Sequence, residues 1–233
     1  MEISQGKKMD IKLVSLDVFQ TLVNVSSIKY KVWKIFLKKS YSAKLAEELW
    51  DLATKKLVAY FSNDISKNTE YESVKSIFSK CYSEIFQEFH IDFDHEKAGK
   101  ILADYHNRAE PFDDTDVFMD FIENNYTYCL SSDTDNDMIK NLKYTKNSHM
   151  VFTSENLKGY KNSRDNTFFR SIFHHYDLEA HEILHVGDSV QDILNPKGMG
   201  MKTCWINRNN RTWQHKTEPD YICSGLKELM LLL

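Results

Sequence analysis

The chain is poor in the residues that mark disulfide-stabilised, metal-stabilised and linker-rich proteins. Its 233 residues include only four cysteines, three prolines and seven glycines. The cysteines are scattered and form no CxxC pair, which argues against a zinc or disulfide framework and favours a reducing cytoplasm. Cys129 and Cys204 lie inside apolar runs and are predicted to be small core residues. With so little proline and glycine, no long flexible linker is expected.

Long apolar runs and an excess of one charge are missing as well. The C-terminal apolar run, Leu229 to Leu233, is far shorter than the ~20 residues of a membrane span. The first eight residues lack the apolar core of a signal peptide. A net charge of -4 gives no basic field for nucleic acid. We therefore predict a cytoplasmic protein that binds neither nucleic acid nor membranes; the sequence carries no signal for an oligomeric state.

What remains is an ordinary globular composition, with 42% hydrophobic and 27% charged residues. After about residue 110, strand-like runs at 126–130, 149–153, 183–186 and 203–206 alternate with helical candidates at 138–142, 166–174 and 190–195. This alternation predicts an α/β fold with a parallel sheet and crossover helices. We predict a doubly wound, Rossmann-like core formed by residues 1–23 and 108–233, with the first strand at its centre.

Residues 24–107 contain no convincing strand. Amphipathic stretches at 30–37, 43–60, 74–86 and 94–106 predict an all-helical cap domain inserted after the first strand. Its aromatic residues could line a substrate pocket, although aromatics at helical spacing more often form the core of a bundle. The residues in question are Trp33, Trp50, Tyr60, Phe78 and Tyr82.

Two strand ends carry polar side chains suited to a ligand. Asp17 follows the apolar run 11–16, and Thr21 comes four residues later. Ser132 and Asp133 close the strand at 126–130. In open α/β sheets ligands bind at this edge, and a hydroxyl beside a helix start is a natural phosphate contact. Ordinary capping of a turn or helix explains each residue equally well when it is considered alone.

Two further strand ends complete the pattern. Lys161 could neutralise a phosphoryl group or a carboxylate cluster, with Lys158 as a nearby competitor, although most lysines are simply solvated. Asp188 and Asp192 are spaced so that both can face one ion, and Mg²⁺ favours carboxylate ligands. A capping aspartate and a surface aspartate are the plainer explanation. The four strand ends thus carry, in chain order, a candidate nucleophile, a hydroxyl, a lysine and an acid pair. It is improbable that four capping or solvated residues would fall in this order by coincidence.

These strings resemble the haloacid dehalogenase-like superfamily, specifically members with a helical cap after the first motif. The segment from Ile183 to Asp192 is especially close to that family's fourth motif, and Ser154-Glu155 followed by Gly159-Tyr160-Lys161 matches its third. The resemblance covers most of the chain outside the cap. It implies a hydrolase with a Rossmann-like core whose substrate binds between cap and core.

The resemblance also implies a role for each residue. Asp17 would be a nucleophile that forms an aspartyl-phosphate intermediate, oriented by Thr21. Ser132 and Lys161 would hold the phosphoryl oxygens of a small phosphorylated substrate, with Asp133 beside them. Mg²⁺ would be bound by Asp17, the backbone carbonyl of Phe19 and Asp188, with Asp192 in support.

Phe19 departs from the phosphatases of this family, which carry an aspartate there to protonate the leaving group and activate water. General acid–base catalysis is typically worth about 10²–10⁴-fold. The expected activity is therefore a Mg²⁺-dependent phosphatase with altered acid–base chemistry, helped by Asp133 or a cap residue. A second hypothesis is a 2-haloacid dehalogenase, whose members carry an aromatic residue at this position. Against it, the intact acid pair is not typical of that branch, and residues 24–107 contain no arginine to hold a carboxylate substrate. The third hypothesis is a non-catalytic binding or regulatory protein.

Three histidines lie near these motifs or on a helix beside them. His185 lies within the strand before the acid pair and is predicted to be a hydrogen-bonded packing residue rather than a metal ligand. His174 and His175 fall on a predicted helix and are expected at the surface or at an interface.

Overall fold

The computed structural model describes residues 11–62, 70–148 and 150–233. Six parallel strands form one sheet: β1 (Leu13–Leu16), β4 (Thr127–Ser132), β5 (Val151–Thr153), β6 (Ile183–Gly187), β7 (Lys202–Ile206) and β8 (Tyr221–Cys223). Their order across the sheet is β5-β4-β1-β6-β7-β8. As predicted, β1 is an interior strand. His149, where the prediction began β5, lies outside the described residues.

Helices connect the strands and follow the last one. The helices before β4 are α1 (Lys29–Leu37), α2 (Ala43–Tyr60), α3 (Val74–Glu88), α4 (His95–His106) and α5 (Thr115–Asn125). The later ones are α6 (Asn136–Ile139), α7 (Lys143–Asn147), α8 (Ser154–Leu157), α9 (Thr167–Tyr176), α10 (Gln191–Gly198) and α11 (Leu226–Leu232). The helix predicted at 138–142 lies two residues earlier, because the chain turns at Lys140 and Leu142 is the N-cap of α7. Among the described helices, none is long and apolar enough to cross a membrane.

Side chains of β1 alternate between two hydrophobic cores, as expected for a strand buried on both faces. Val14 and Leu16 pack in the larger core, which includes Phe118 of α5 and Leu229 of α11. Leu13 packs in the smaller core with the phenylalanines of α9. Helices therefore cover both faces of the sheet, which confirms the predicted doubly wound α/β fold.

The regular structure of the described chain between residues 25 and 106 is helical, as predicted for an inserted cap. No strand occurs among its described residues, 25–62 and 70–106. The predicted domain limits of 24 and 107 fall beside a short antiparallel ladder between β2 (Val23–Asn24) and β3 (Glu110–Pro111), where the chain leaves and rejoins the core. The structure does not test these limits, which remain a prediction.

The cap aromatics divide between the two roles considered from the sequence. Trp33 is fully buried and makes edge contacts with Phe36 and Tyr82, so it belongs to the bundle core. Trp50 and Phe78 line a cavity between the cap and the sheet, and Tyr82 does both. The phenol of Tyr60 instead donates a hydrogen bond to Glu72.

Candidate active site

Asp17 lies at the carboxyl end of β1, as its position after an apolar run predicts. Its amide donates to the carbonyl of Val186 on β6 (2.9 Å), which fixes the backbone at the point where β1 ends. The chain then turns tightly, with a left-handed backbone at Gln20 (φ 66°). This turn brings Thr21 back, and its hydroxyl donates to Asp17 Oδ2 (2.9 Å). Asp17 is therefore held in one orientation by its own loop.

Lys161 reaches the same point from the loop after α8. Its side chain is 2% exposed, and Nζ lies 2.7 Å from Asp17 Oδ1 and 2.6 Å from Asp192 Oδ1. Lys158, the alternative considered from the sequence, is exposed and lies over the ring of Tyr71 instead. The structure thus selects Lys161 as the lysine next to Asp17.

Three carboxylates converge at this edge of the sheet. Asp17, Asp188 and Asp192 each offer an oxygen within 4.8 Å of the others. Both oxygens of Asp192 already accept hydrogen bonds, from Lys161 and His185 on one side and from Ser189 on the other. Asp192 accepts four hydrogen bonds in all and Asp17 only two. Asp17 and Asp188 therefore keep more lone pairs for a cation, and Asp192 holds Lys161.

A glycine is required where β6 meets this cluster. A Cβ atom at Gly187 would lie 2.2 Å from Cγ of Asp192, closer than real atoms approach. Because Gly187 has no side chain, the Asp192 carboxylate of α10 can lie directly against the end of β6.

The cluster carries more acidic than basic groups, and this excess alters the pKa of each carboxyl. Burial would raise the pKa of Asp192, but Lys161 and His185 more than offset this and hold it well below its usual range. Burial raises the pKa of Asp188 to about 8, and the charges of Asp17 and Asp192 add to that rise. The pKa of Asp17 is also raised by burial, although Lys161 opposes the rise.

The donor set fits a divalent cation. Three crowded carboxylates face one buried lysine, and the half-exposed guanidinium of Arg211 lies 3.5 Å from Asp188. Carboxylate oxygens are the ligands that Mg²⁺ prefers. Phe19 follows Asp17 in the same turn, so its backbone carbonyl belongs to the same edge of the sheet.

The remaining predicted residues line a small cavity of about 210 Å³. Its walls include Asp17, Lys161, Asp188, Ser132 and Asp133. Asp133 accepts a hydrogen bond from the amide of Lys161 (2.9 Å). Burial raises the pKa of Asp133 to about 7, so its carboxyl can hold or release a proton near neutral pH. The structure therefore brings together all the residues predicted for the site.

A second, more apolar cavity of about 400 Å³ adjoins the first. The two cavities share Phe19, Leu57, Phe61 and Asp133. A larger polar groove of about 570 Å³ between α3, α4 and α6 contains none of the predicted site residues.

A chain of buried hydrogen bonds beneath the site was missed from the sequence. The ring of His185 lies between Asp192 Oδ1 (Nε2, 3.0 Å) and the hydroxyl of Ser15 (Nδ1, 3.0 Å), and Ser15 in turn contacts Ser131 (2.8 Å). Burial lowers the pKa of His185, and because ionised Asp192 can only accept, Nε2 carries the proton. The hydrogen-bonded packing role predicted for His185 is confirmed, and the polar Ser15 inside an apolar strand was the available signal. His174 and His175 are exposed, as expected.

Comparison with known families decides the class of protein. The model of the haloacid dehalogenase-like hydrolase family matches residues 16–206, a span that contains every predicted site residue. The chain belongs to this family. It is therefore a haloacid dehalogenase-like hydrolase, as the resemblance of its motifs predicted. No curated protein matches the chain in sequence.

Solved structures share the whole architecture at low sequence identity. L-2-haloacid dehalogenase from Xanthobacter autotrophicus, with chloropropionic acid covalently bound, is 16% identical, with a TM-score of 0.81 over 95% of this chain and 98% of that one. The HAD-hydrolase YfnB from Bacillus subtilis, bound to magnesium, is 13% identical, with a TM-score of 0.80 over 97% and 99%. At these identities the likeness establishes the fold alone.

Proposed function

We propose that this hydrolase is a Mg²⁺-dependent phosphatase that acts on a small phosphorylated metabolite through an aspartyl-phosphate intermediate. The observation that carries the proposal is the cluster of Asp17, Asp188 and Asp192 around the buried amine of Lys161. Such a cluster provides a carboxylate nucleophile, sites for a divalent cation and a fixed positive charge within one small cavity.

Residues of the chain account for the first half-reaction. A carboxylate oxygen of Asp17 attacks phosphorus, and the bond from phosphorus to the ester oxygen breaks as the new bond forms. Thr21 orients the nucleophile, while Lys161 and Ser132 offer donors to the phosphoryl oxygens. Bound at Asp17, Asp188 and the carbonyl of Phe19, Mg²⁺ would offset the repulsion between two anions. Water then attacks phosphorus and releases phosphate and free Asp17.

Proton transfer is the step for which the chain lacks the usual residue. The ring of Phe19 packs against His106 and has no proton to give. Asp133 lines the same small cavity as Asp17, and its carboxyl holds a proton near neutral pH. Asp133 is therefore the candidate acid, and substrates with good leaving groups need it least.

Phosphate release from acetyl phosphate and 4-nitrophenyl phosphate, with and without Mg²⁺, tests the proposal. Asp17→Asn should lower turnover at least 10³-fold or so, because the amide is a poor nucleophile. Asp137→Asn, a substitution of the same type at an exposed aspartate, should have no effect. Turnover that survives Asp17→Asn would refute the assigned nucleophile.

The dehalogenase hypothesis has one observation in its favour, the aromatic side chain of Phe19 at the mouth of the site. Against it, Lys29 is the only cation among the described residues that line the apolar cavity, and it is paired with Glu47 (2.5 Å). A substrate carboxylate would therefore lack a free partner there. Halide release from 2-chloropropionate, without phosphate release from acetyl phosphate or 4-nitrophenyl phosphate, would favour this alternative. Magnesium binding without either activity would favour a non-catalytic role.

A further inference from the structure

The apolar cavity beside the site defines what the phosphate is attached to. We infer that the substrate is a phosphate ester of an apolar, ring-containing hydroxyl compound that also donates a hydrogen bond to His106. This inference rests on the proposed function and goes beyond it by naming the chemical class of the leaving group.

Position and size make the cavity the place for the body of the substrate. It adjoins the small cavity at Phe19, Leu57 and Phe61, so a phosphoryl group next to Asp17 directs the rest of the molecule into it. Its volume of about 400 Å³ lies within the ~300–1,000 Å³ of small-molecule sites. One or two fused rings are a body of suitable size.

The walls favour an apolar body over a sugar or a polyanion. Much of the lining is aliphatic or aromatic and comes from all sides of the cavity: Trp50, Leu57, Phe61, Phe78, Leu102 and Met138. Three of the charged lining residues are engaged or peripheral, since Lys29 is paired with Glu47 and Asp51 is exposed. The fourth, Asp133, lies where the two cavities meet and accepts from the amide of Lys161. Each sugar hydroxyl left without a partner in such a site would weaken binding at least severalfold.

His106 is a buried polar side chain next to the aromatic part of this wall. Its ring is 6% exposed, stacks on Phe78 (5.4 Å) and meets the edge of Phe19 (4.8 Å). Nδ1 lies 2.7 Å from the carbonyl of Leu102, which can only accept, so Nδ1 carries the proton. Among the described residues, none hydrogen-bonds Nε2. A buried acceptor without a partner in a mostly apolar cavity favours a ligand that brings a donor to it.

The chemistry at Phe19 leads to the same class. A phenolic oxygen, with a pKa near that of tyrosine at about 10, leaves readily as an anion. An alkoxide, whose parent alcohol ionises about as weakly as water at ~16, needs a proton donor. A site without an acid at position 19 therefore suits an aryl ester, and an aryl ring is what the cavity accommodates.

The test compares hydrolysis of acetyl phosphate, phenyl phosphate, 2-naphthyl phosphate and glucose 6-phosphate by the full chain with Mg²⁺. Both aryl esters should exceed glucose 6-phosphate in kcat/KM by at least tenfold. Acetyl phosphate needs only the small cavity, so its turnover reports on the proposed function alone.

Two alanines of α2 provide a matched pair of variants. Ala53 lines the apolar cavity, whereas Ala59 is exposed on the same helix. Ala53→Phe should lower kcat/KM for 2-naphthyl phosphate at least tenfold and leave acetyl phosphate turnover unchanged, which also shows that the variant folds. Ala59→Phe should change the turnover of neither substrate.

A second pair of measurements addresses His106. His106→Phe keeps an aromatic ring and removes the acceptor. It should lower kcat/KM for 4-hydroxyphenyl phosphate roughly five- to tenfold, the value of one hydrogen bond, with little change for phenyl phosphate. Equal effects on the two esters would show that His106 accepts no hydrogen bond from the hydroxyl group of the substrate.

Failure of the inference and failure of the proposed function give different results. If acetyl phosphate is hydrolysed but aryl esters are no better than glucose 6-phosphate, the inference is wrong and the phosphatase stands. If no phosphate compound is hydrolysed, the binding of 2-naphthol is measured by calorimetric titration. Binding that is weakened by Ala53→Phe but not by Ala59→Phe would support an apolar ring-containing ligand and contradict the phosphatase activity. Absence of both turnover and binding overturns both.

Discussion

At the scale of single residues, Lys161 balances the charge of the site. Its buried amine contacts both Asp17 and Asp192, and burial would lower its pKa if these carboxylates did not hold it above the usual range. Lys161→Met leaves two buried carboxylates without this partner. Breaking a buried pair typically costs about 3–5 kcal/mol. We expect a loss of this size in the free energy of unfolding, measured by urea denaturation in EDTA.

The matched control is Lys158→Met, three residues away on the exposed side of the same loop. Surface substitutions usually change stability by less than about 0.5 kcal/mol. If both variants lose the same stability, Lys161 is not the centre of the charge network.

His106 gives the protein a predictable response to acid. Burial lowers its pKa to about 4 from an ordinary 6.5, despite the hydrogen bond to Leu102. The unfolded chain therefore takes up this proton first, and stability present above pH 6.5 is lost as the pH falls towards 4. The total loss is about 3 kcal/mol, because each tenfold difference in proton affinity between the folded and unfolded chain corresponds to ~1.4 kcal/mol.

Comparison with variants isolates this contribution from those of the site carboxylates. The unfolding free energy of wild type minus that of His106→Phe should fall by about 3 kcal/mol between pH 7 and pH 4. His106→Gln keeps an amide donor but cannot take up the proton. The unfolding free energy of wild type minus that of His106→Gln should therefore fall by the same amount over this pH range. A difference that stays flat with pH would show that the imidazole is not held neutral by burial.

At the scale of elements, the N-terminus of α3 is bound to the core by one aspartate. The carboxylate of Asp135, which follows β4, accepts hydrogen bonds from the amides of Val74 and Lys75 and from the hydroxyl of Tyr71, each at 2.9 Å. A negative charge at a helix N-terminus is also favourable for the helix dipole. This contact ties the start of α3 directly to the segment that follows β4.

Asp135→Ala should loosen this end of α3 while leaving the sheet intact. Hydrogen bonds to charged groups are worth about 1.5–3 kcal/mol each, so we expect a loss of at least 2 kcal/mol or so in stability. Hydrogen exchange at Val74 and Lys75 should accelerate. Asp137→Ala removes an exposed aspartate of α6 that pairs with Lys75 and should change exchange little. Similar exchange rates in the two variants would contradict the anchoring role.

At the scale of the whole molecule, a divalent cation should stabilise the fold through the carboxylate cluster. Magnesium at ten times its Kd adds about 1.4 kcal/mol by mass action, which corresponds to a rise in Tm of roughly 3–6 °C for a chain of this size. Asp188→Asn should abolish the rise. Without metal that variant should be at least as stable as wild type, because it removes a carboxyl whose ionisation is disfavoured by burial and by the charges of Asp17 and Asp192.

Thermal melts with and without Mg²⁺ measure both effects, with Asp137→Asn as the control that keeps the full rise. A magnesium-dependent rise that persists in Asp188→Asn would place the cation elsewhere in the protein.

The sequence predicts the parts of this molecule whose signal is local. Apolar runs identify β4, β6 and β7, and polar residues at strand ends identify the site. The three-residue β8 is too short for a periodic pattern, and it is formed because β7 offers it an open edge. His106 and Asp135 have no local signal either. Their importance arises from contacts across 87 and 61 residues, with Phe19 and Val74 respectively, that only the folded chain brings together.

The hydrogen-bonded row of Ser131, Ser15 and His185 also fixes how the strands can be aligned. Ser15 lies directly opposite His185 in the β1–β6 pairing. A slip of one residue would replace its hydroxyl with Val14 or Leu16 and turn every side chain of β1 to the wrong face. The wrongly paired sheet would leave Nδ1 of the buried His185 ring without the hydroxyl of Ser15. The row that supports the site therefore also penalises misalignment during folding, so an insertion or deletion within β1 should be far less tolerated than one in the loops around it.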